Sequence, residues 1–263
     1  MADIQSKSFE TSTGRIAYRE AGSGGTPLVC LHGLGGGARS WQCQLDQMSV
    51  DRRVIAWDCP GYGGSDDHSL SSPSPADYAD ALAELLKGIG VDEPIDLIGH
   101  SMGGVIAPQL EARHPGTVRR MVLSATRVGF RDWGSYEQRL QEQVDMTPEE
   151  FGKTRANGMC SPSASDAVKA GVTSIASEIR TSGYRGAVHV LSVSDNRAEV
   201  AALEIPVLVL AGAEDRIAPE EVTADLADAI PGARREIIAQ AAHAAYLEQP
   251  ESYNARLRLF LDT

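Results

Sequence analysis

The stretch Ile98-Gly99-His100-Ser101-Met102-Gly103-Gly104 constrains this chain more than any other. It follows Pro94-Ile95-Asp96-Leu97, which reads as a short buried strand. It precedes Val105-Ile106-Ala107 and residues 109–112, which read as a helix. A serine flanked at two residues on either side by glycine, between a strand and a helix, sits on a sharp and strained turn. The turn lifts the hydroxyl clear of the sheet. Side chains at positions 99 and 103 would collide as strand and helix close together, so glycine is needed at both.

The rest of the chain supplies the sheet that such a turn requires. Residues 8–11 and 16–19 mix apolar and polar positions and predict an antiparallel edge hairpin. Residues 27–31 form a continuous apolar run, as expected of a parallel strand buried on both faces. Further strands are predicted over 53–57, 118–124, 205–210 and 234–239, with helices over 41–48, 75–86, 220–229 and 251–261. Strands alternating with helices imply a parallel, doubly wound α/β sheet. Between residues 128 and 202 the pattern changes. Helices are predicted over 133–144, 147–157, 163–180 and 184–193, with no strand among them. The expected organisation is therefore a core domain of residues 1–127 and 203–263. A helical cap of residues 128–202 is inserted between strands 6 and 7, over the C-terminal edge of a mostly parallel eight-stranded sheet. A chain of 263 residues suffices for that core and one insertion.

Composition excludes several classes of function. A net charge of −12 without a basic stripe argues against a nucleic-acid partner. No apolar run is long enough to span a membrane, and the first residues lack a basic region followed by an apolar one. Cys30, Cys43, Cys59 and Cys160 show neither paired spacing nor a metal-ligand pattern. Reduced thiols, a cytoplasmic location and no metal are expected.

The loops at the strand ends carry the chemistry. Strand 27–31 runs into His32-Gly33-Leu34-Gly35-Gly36-Gly37, where glycines let backbone N–H groups point into a cleft. A phosphate-cradling loop is disfavoured, because neither a Gly-Lys-Ser/Thr ending nor GxGxxG is present. Asp58, after strand 53–57, is expected to hold its turn by accepting backbone hydrogen bonds. Strand 118–124 ends in Ala125-Thr126-Arg127, without a carboxylate. Strand 205–210 ends in a loop carrying Glu214 and Asp215, and His243 precedes the last helix. Of the other histidines, His32 is expected to fix its loop, His100 to pack beside the serine turn, and His68 to be exposed. His114 suits a helix C-terminus. His189, in the predicted cap, is a candidate to face a substrate.

These motifs together resemble the α/β-hydrolase fold. Five occur in the family's order: His32-Gly33-x-Gly35-Gly36, Asp58-x-Pro60-Gly61-x-Gly63-x-Ser65, Gly99-x-Ser101-x-Gly103, Gly212-x-x-Asp215-x-x-x-Pro219, and His243 before the last helix. The resemblance covers the chain outside the cap. It implies Ser101 as nucleophile, His243 as general base and Asp215 as the acid that orients it, with Glu214 the fallback. It also implies an oxyanion hole from the N–H groups of Leu34 and Met102, and no cofactor. Members with aspartate at the elbow, the haloalkane dehalogenases and soluble epoxide hydrolases, are excluded by Ser101.

A serine hydrolase of a small ester, lactone or related acyl compound is expected, as a monomer or homodimer. Carbon–carbon hydrolases of ring-cleavage products often read Gly-Asn-Ser-Met-Gly-Gly at the elbow, and remain an alternative, as does a slow ligand receptor on the same fold. The stretch from Ser182 through Asp195 into Ile205-Pro206 is similar to enol-lactonase caps, which points to acidic catabolic intermediates. Arg39 and Arg127, which adjoin strand ends, are the leading candidates to bind a substrate carboxylate; Arg180 and Arg185 in the cap are others.

Overall fold

A computed structural model describes residues 4–130 and 135–263. Its centre is an eight-stranded sheet, in the order β1-β2-β4-β3-β5-β6-β7-β8. The strands are β1 (Ser6–Thr11), β2 (Gly14–Ala21), β3 (Leu28–Leu31), β4 (Val54–Trp57), β5 (Ile95–His100), β6 (Val118–Ser124), β7 (Val207–Gly212) and β8 (Arg234–Ile238). β1 pairs antiparallel with β2, and β2 antiparallel with β4; all other pairs are parallel.

Alternation along the strands divides the core between two faces. Val29, Leu31, Ile55, Trp57 and Leu97 pack on one side. They meet α2 (Pro75–Gly88) and α3 (Met102–Arg113) through Tyr78, Leu82, Val105 and Leu110. Leu28, Cys30, Val54, Ala56 and Ile98 point the other way. There they meet Leu45 of α1 (Gln42–Gln47) and Tyr253, Leu257 and Phe260 of α11 (Pro250–Leu261). Strands covered on both faces need apolar residues at successive positions, which explains the continuous apolar runs. Each fully buried Leu or Val contributes about 1.5–3 kcal/mol.

β3 lies between β4 and β5, so the chain leaves β3 toward one side and β5 continues on the other. This reversal of strand order opens a crevice at the carboxyl ends of β3 and β5. The loop of residues 32–37 and Ser101 both emerge there.

Among the described residues, five helices lie between β6 and β7: α4 (Tyr136–Val144), α5 (Pro148–Met159), α6 (Asp166–Ala176), α7 (Thr181–Val193) and α8 (Arg197–Ala201). α5 starts on a capping box, in which Thr147 and Glu150 bond each other's backbone N–H and Pro148 takes the first turn. α5 packs on α6 and α4 on α7. Gly129 and Asp195 form one antiparallel bridge that draws the two necks of the insertion together. The cap touches the core where Gly61 meets Gly183. A Cβ on Gly183 would stand 2.1 Å from the Gly61 carbonyl oxygen, so the two backbones meet directly. Nearby, Arg180 donates to the Gly63 and Ser65 carbonyls at 3.0 and 2.6 Å and pairs with Asp67. The core is completed by α9 (Glu220–Asp228) and α10 (Ala245–Glu248).

Several details depart from the sequence reading. The predicted helix over 163–180 stops at Ala176, and α7 begins three residues early, at Thr181. Ser177 through Arg180 turn the chain so that Arg180 can reach the core. A 3-10 turn, Ala38–Trp41, precedes α1, and α8 adds a short helix beyond those the sequence pattern predicts. The predicted helix start at 133 lies outside the described residues. His68 is half-buried rather than exposed, because its ring packs 5.3 Å from that of Tyr78. Among the described residues no helix is long and apolar enough to cross a membrane.

Candidate active site

Ser101 occupies the turn between β5 and α3 with φ 51° and ψ −112°. A non-glycine residue in this region carries strain of order 1–3 kcal/mol, held by its surroundings. Here the Ser101 N–H donates to Ser124 O at 2.9 Å, and the Thr126 hydroxyl donates to Ser101 O at 2.8 Å. The glycines are explained by contact. A Cβ on Gly99 would lie 2.5 Å from Gly103 O, and one on Gly103 would lie 2.4 Å from Leu31 O.

Asp215 follows β7. Its Oδ1 accepts from the N–H groups of Ile217 at 2.8 Å and Ala218 at 2.9 Å, and its Oδ2 lies 2.8 Å from His243 Nδ1. Burial alone would raise this carboxyl, but the His243 ring and the two N–H donors hold it below its ordinary value. His243 is 1% exposed, and its other ring nitrogen, Nε2, is enclosed without a hydrogen-bond partner. Glu214, beside Asp215, is exposed, so it does not compete for the imidazole.

His100 joins the two halves of the site. Its Nε2 lies 2.9 Å from the His243 carbonyl, which only accepts, so Nε2 carries the proton. Burial, with the His243 ring beside it, pushes the His100 imidazole well below its ordinary range and keeps it neutral. The two rings stand 4.8 Å apart, and the Tyr246 ring lies 4.9 Å from that of His100. His32 fixes its loop: Nε2 accepts from Cys59 N–H at 3.1 Å, leaving Nδ1 to donate to Gly33 O at 2.9 Å. Asp58 accepts from the N–H groups of Ala38 at 2.7 Å and Gly64 at 3.3 Å, a turn-holding geometry. Leu34 and Met102 are buried beside the serine, and neither backbone N–H has an acceptor among the described residues.

The residues expected to meet a substrate have other partners. Arg39 is exposed and pairs with Glu178, tying the core to the end of α6. Arg127 donates to Ile217 O at 2.7 Å and lies 4.9 Å over the Phe130 ring, so it backs the Asp215 loop from outside. His189 packs edge-on against Tyr136 within the cap, at 6.0 Å. Arg180 clamps cap to core, as described, and Arg185 is exposed.

Arg155, on α5, is a site residue that the sequence reading does not contain. Its Nη2 donates to the Leu34 carbonyl at 3.2 Å, which brings the guanidinium to the loop beside Ser101. A signal for it existed. Phe151, Gly152, Ala156 and Met159 are buried, and position 155 falls on the same helical face. A cation on the buried face of an amphipathic helix calls for a polar destination.

Fold and site together define an α/β hydrolase. A family model described as "Alpha/beta hydrolase family" matches residues 28–256, and the chain belongs to that family. It is 28% identical over 251 residues to a pimeloyl-[acyl-carrier protein] methyl ester esterase of Yersinia enterocolitica, covering 91% of this chain and 95% of the relative. It is also 28% identical to the (E)-2-((N-methylformamido)methylene)succinate hydrolase of Acinetobacter baylyi, covering 98% of each. A thermophilic esterase from Thermogutta terrifontis, solved with malate bound, superposes with a TM-score of 0.89 at 25% identity over 98% of each chain.

Proposed function

We propose that this hydrolase cleaves a small ester or lactone through an acyl-enzyme on Ser101. The observation that carries the reading is the His243–Asp215 pair. One imidazole nitrogen is held by a buried carboxylate at 2.8 Å, and the other is enclosed without a hydrogen-bond partner. The His243 ring packs 4.8 Å from that of His100, whose next residue is Ser101 on its strained elbow. Ser101 Oγ attacks the acyl carbon while its proton passes to His243 Nε2. Asp215 fixes the Nδ1–H tautomer and stabilises the imidazolium. The N–H groups of Leu34 and Met102 receive the oxyanion, each worth about 2.7–4 kcal/mol in the transition state. Imidazolium returns the proton to the leaving alkoxide. Water, deprotonated in turn by His243, then releases the acid and restores Ser101. In a lactone the leaving oxygen stays on the acyl chain.

Substrate size follows from burial. Ser101 is only 6% exposed under the cap, so the site admits a small molecule after the cap moves and excludes polymers. The name of one relative, a hydrolase of a substituted succinate, agrees with an acyl substrate of modest size, while that of the other, the pimeloyl-[acyl-carrier protein] methyl ester esterase, puts its ester on a carrier protein. The test is covalent. A fluorophosphonate should label Ser101, as mapped by mass spectrometry. An adduct on another residue, with Ser101 free, would refute the assignment.

A further inference from the structure

Arg155 differs from the other arginines that join cap to core. Arg39 has Glu178 and Arg180 has Asp67. Arg155 has no carboxylate partner among the described residues. Its one hydrogen bond among the described residues goes to the Leu34 carbonyl, and its Nε is enclosed without an acceptor there. The groups around it include the phenols of Tyr184, Tyr62 and Tyr246, a second cation, Arg139, and the neutral imidazole of His100. Burial pushes the phenols of Tyr62 and Tyr246 upward, so both are neutral at ordinary pH. Burial also lowers the Arg155 guanidinium, but an arginine in a protein remains protonated. A chain of net charge −12 has thus placed inside its cap a cation without a carboxylate partner among the described residues. Such a cation is costly until an anion joins it.

Its position says which anion would reach it. The guanidinium rests on the Leu34–Gly35 backbone, with Nε 3.4 Å from where a Gly35 Cβ would stand. Gly33, two residues back, lies against Ser101: its own Cβ would stand 2.8 Å from that of the serine. An ester held with its carbonyl oxygen on the Leu34 N–H therefore has Arg155 within a short carbon chain of the acyl carbon.

We infer that Arg155 is the subsite for a carboxylate carried by the substrate, so that the preferred substrates are half-esters or lactones of small dicarboxylic acids. The inference rests on the serine hydrolase reading above and names its substrate class. Guanidinium matches a carboxylate with two parallel N–H donors. The bond to Leu34 O uses one of its five N–H donors, which leaves a pair for the ligand.

The test compares monoethyl glutarate with ethyl valerate, equal in length and differing in the terminal carboxylate. Wild type should prefer the half-ester in kcat/KM by about 10-fold to 100-fold, the range of a charged hydrogen bond. Arg155→Gln should bring the ratio near unity, and Arg155→Lys, which keeps the charge without the fork, should give an intermediate ratio. Should Arg155→Gln fail to fold, the lysine variant decides alone: an unchanged ratio overturns the inference. A role confined to propping Leu34 would slow both esters equally and leave the ratio intact, and that result overturns it too. Equal rates on both esters in wild type, with Ser101 still labelled by fluorophosphonate, overturn the carboxylate subsite and spare the hydrolase. A calorimetric arm needs no turnover. Ser101→Ala should bind monoethyl glutarate, and adding Arg155→Gln should weaken that binding by the same factor. Absent binding, or equal affinity for both esters, overturns the inference even if the serine reading itself fails.

Discussion

On the core side of the site, each group proposed to react is held within a few residues of a strand end. Asp215 takes its N–H bonds from Ile217 and Ala218 in its own loop. Ser101 is fixed by the turn it forms, with Ser124 and Thr126 of the adjoining strand end. On the cap side, Arg155 arrives from the middle of a helix, across more than a hundred residues of sequence from Leu34. The first kind of group is set by local turn chemistry on a rigid sheet. The second is set by how one helix happens to face another body. Machinery built on the core can stay constant while a cap of different facing selects a different substrate.

The sharpest way to break this comparison is to remove one carboxylate of each kind from the core side. Asp215→Asn should lower kcat by about four orders of magnitude, because the imidazole loses the tautomer its partner imposes. The unfolding midpoint should move far less. Asp58→Asn should show the opposite pattern, losing about 1–3 kcal/mol as backbone N–H groups lose their acceptor, with kcat reduced far less. Steady-state kinetics and thermal unfolding on the two variants decide between them. A catalytic collapse in Asp58→Asn with Asp215→Asn active would reverse the roles assigned to the two residues.

The same contrast explains what could be read from the chain. The parallel strands followed from apolar runs and the antiparallel edge hairpin from its mixed apolar and polar pattern, and the loop positions of Ser101, Asp215 and His243 followed from glycine spacing and loop order. Each of these is encoded by neighbours in sequence. Arg39 and Arg127 adjoin strand ends, and adjacency says nothing about where a long flexible side chain turns. Arg39 turned outward to Glu178, and Arg127 to Ile217 O behind the acid. Arg155 needed a different rule, that a charge on the buried face of α5 must be going somewhere polar. The break between α6 and α7 escaped notice for a related reason. Residues 177–180 have ordinary helical propensity, and the turn is imposed by contacts of Arg180 with the core.

A medium effect sharpens the boundary between cap and core. In an exposed helix, glycine to alanine stabilises by roughly 0.5–1 kcal/mol. At Gly183 the sign should invert. The new methyl would stand 2.1 Å from the Gly61 carbonyl, so Gly183→Ala should cost about 1–3 kcal/mol through overpacking. Gly158, also in the cap, faces open space, and Gly158→Ala should be neutral or stabilising. Unfolding midpoints of the two variants compare the interface directly; equal shifts would mean that the Gly61–Gly183 contact does not hold the cap. Arg180→Ala should act more weakly, by up to about 1 kcal/mol, since its head is partly exposed. Hydrogen exchange should show the loss as faster exchange in α7, with the core strands unchanged.

The smallest expected effect belongs to Arg39→Ala, and it is the control that gives the others meaning. Arg39 lies near the loop that carries Leu34, as Arg155 does. By sequence position it was the better candidate for a substrate carboxylate. Its head is 44% exposed, and its partner Glu178 is 53% exposed. Exposed pairs are screened by solvent and pay side-chain entropy, so removing one costs no more than about 0.5–1 kcal/mol. The preference for a carboxylated ester over its neutral match should not move, because Arg39 already has an anion in Glu178. If Arg39→Ala erased the preference while Arg155→Gln kept it, proximity in sequence would have been the better guide. The contrast between core-held machinery and cap-borne selection would then fail at the residue chosen to represent it.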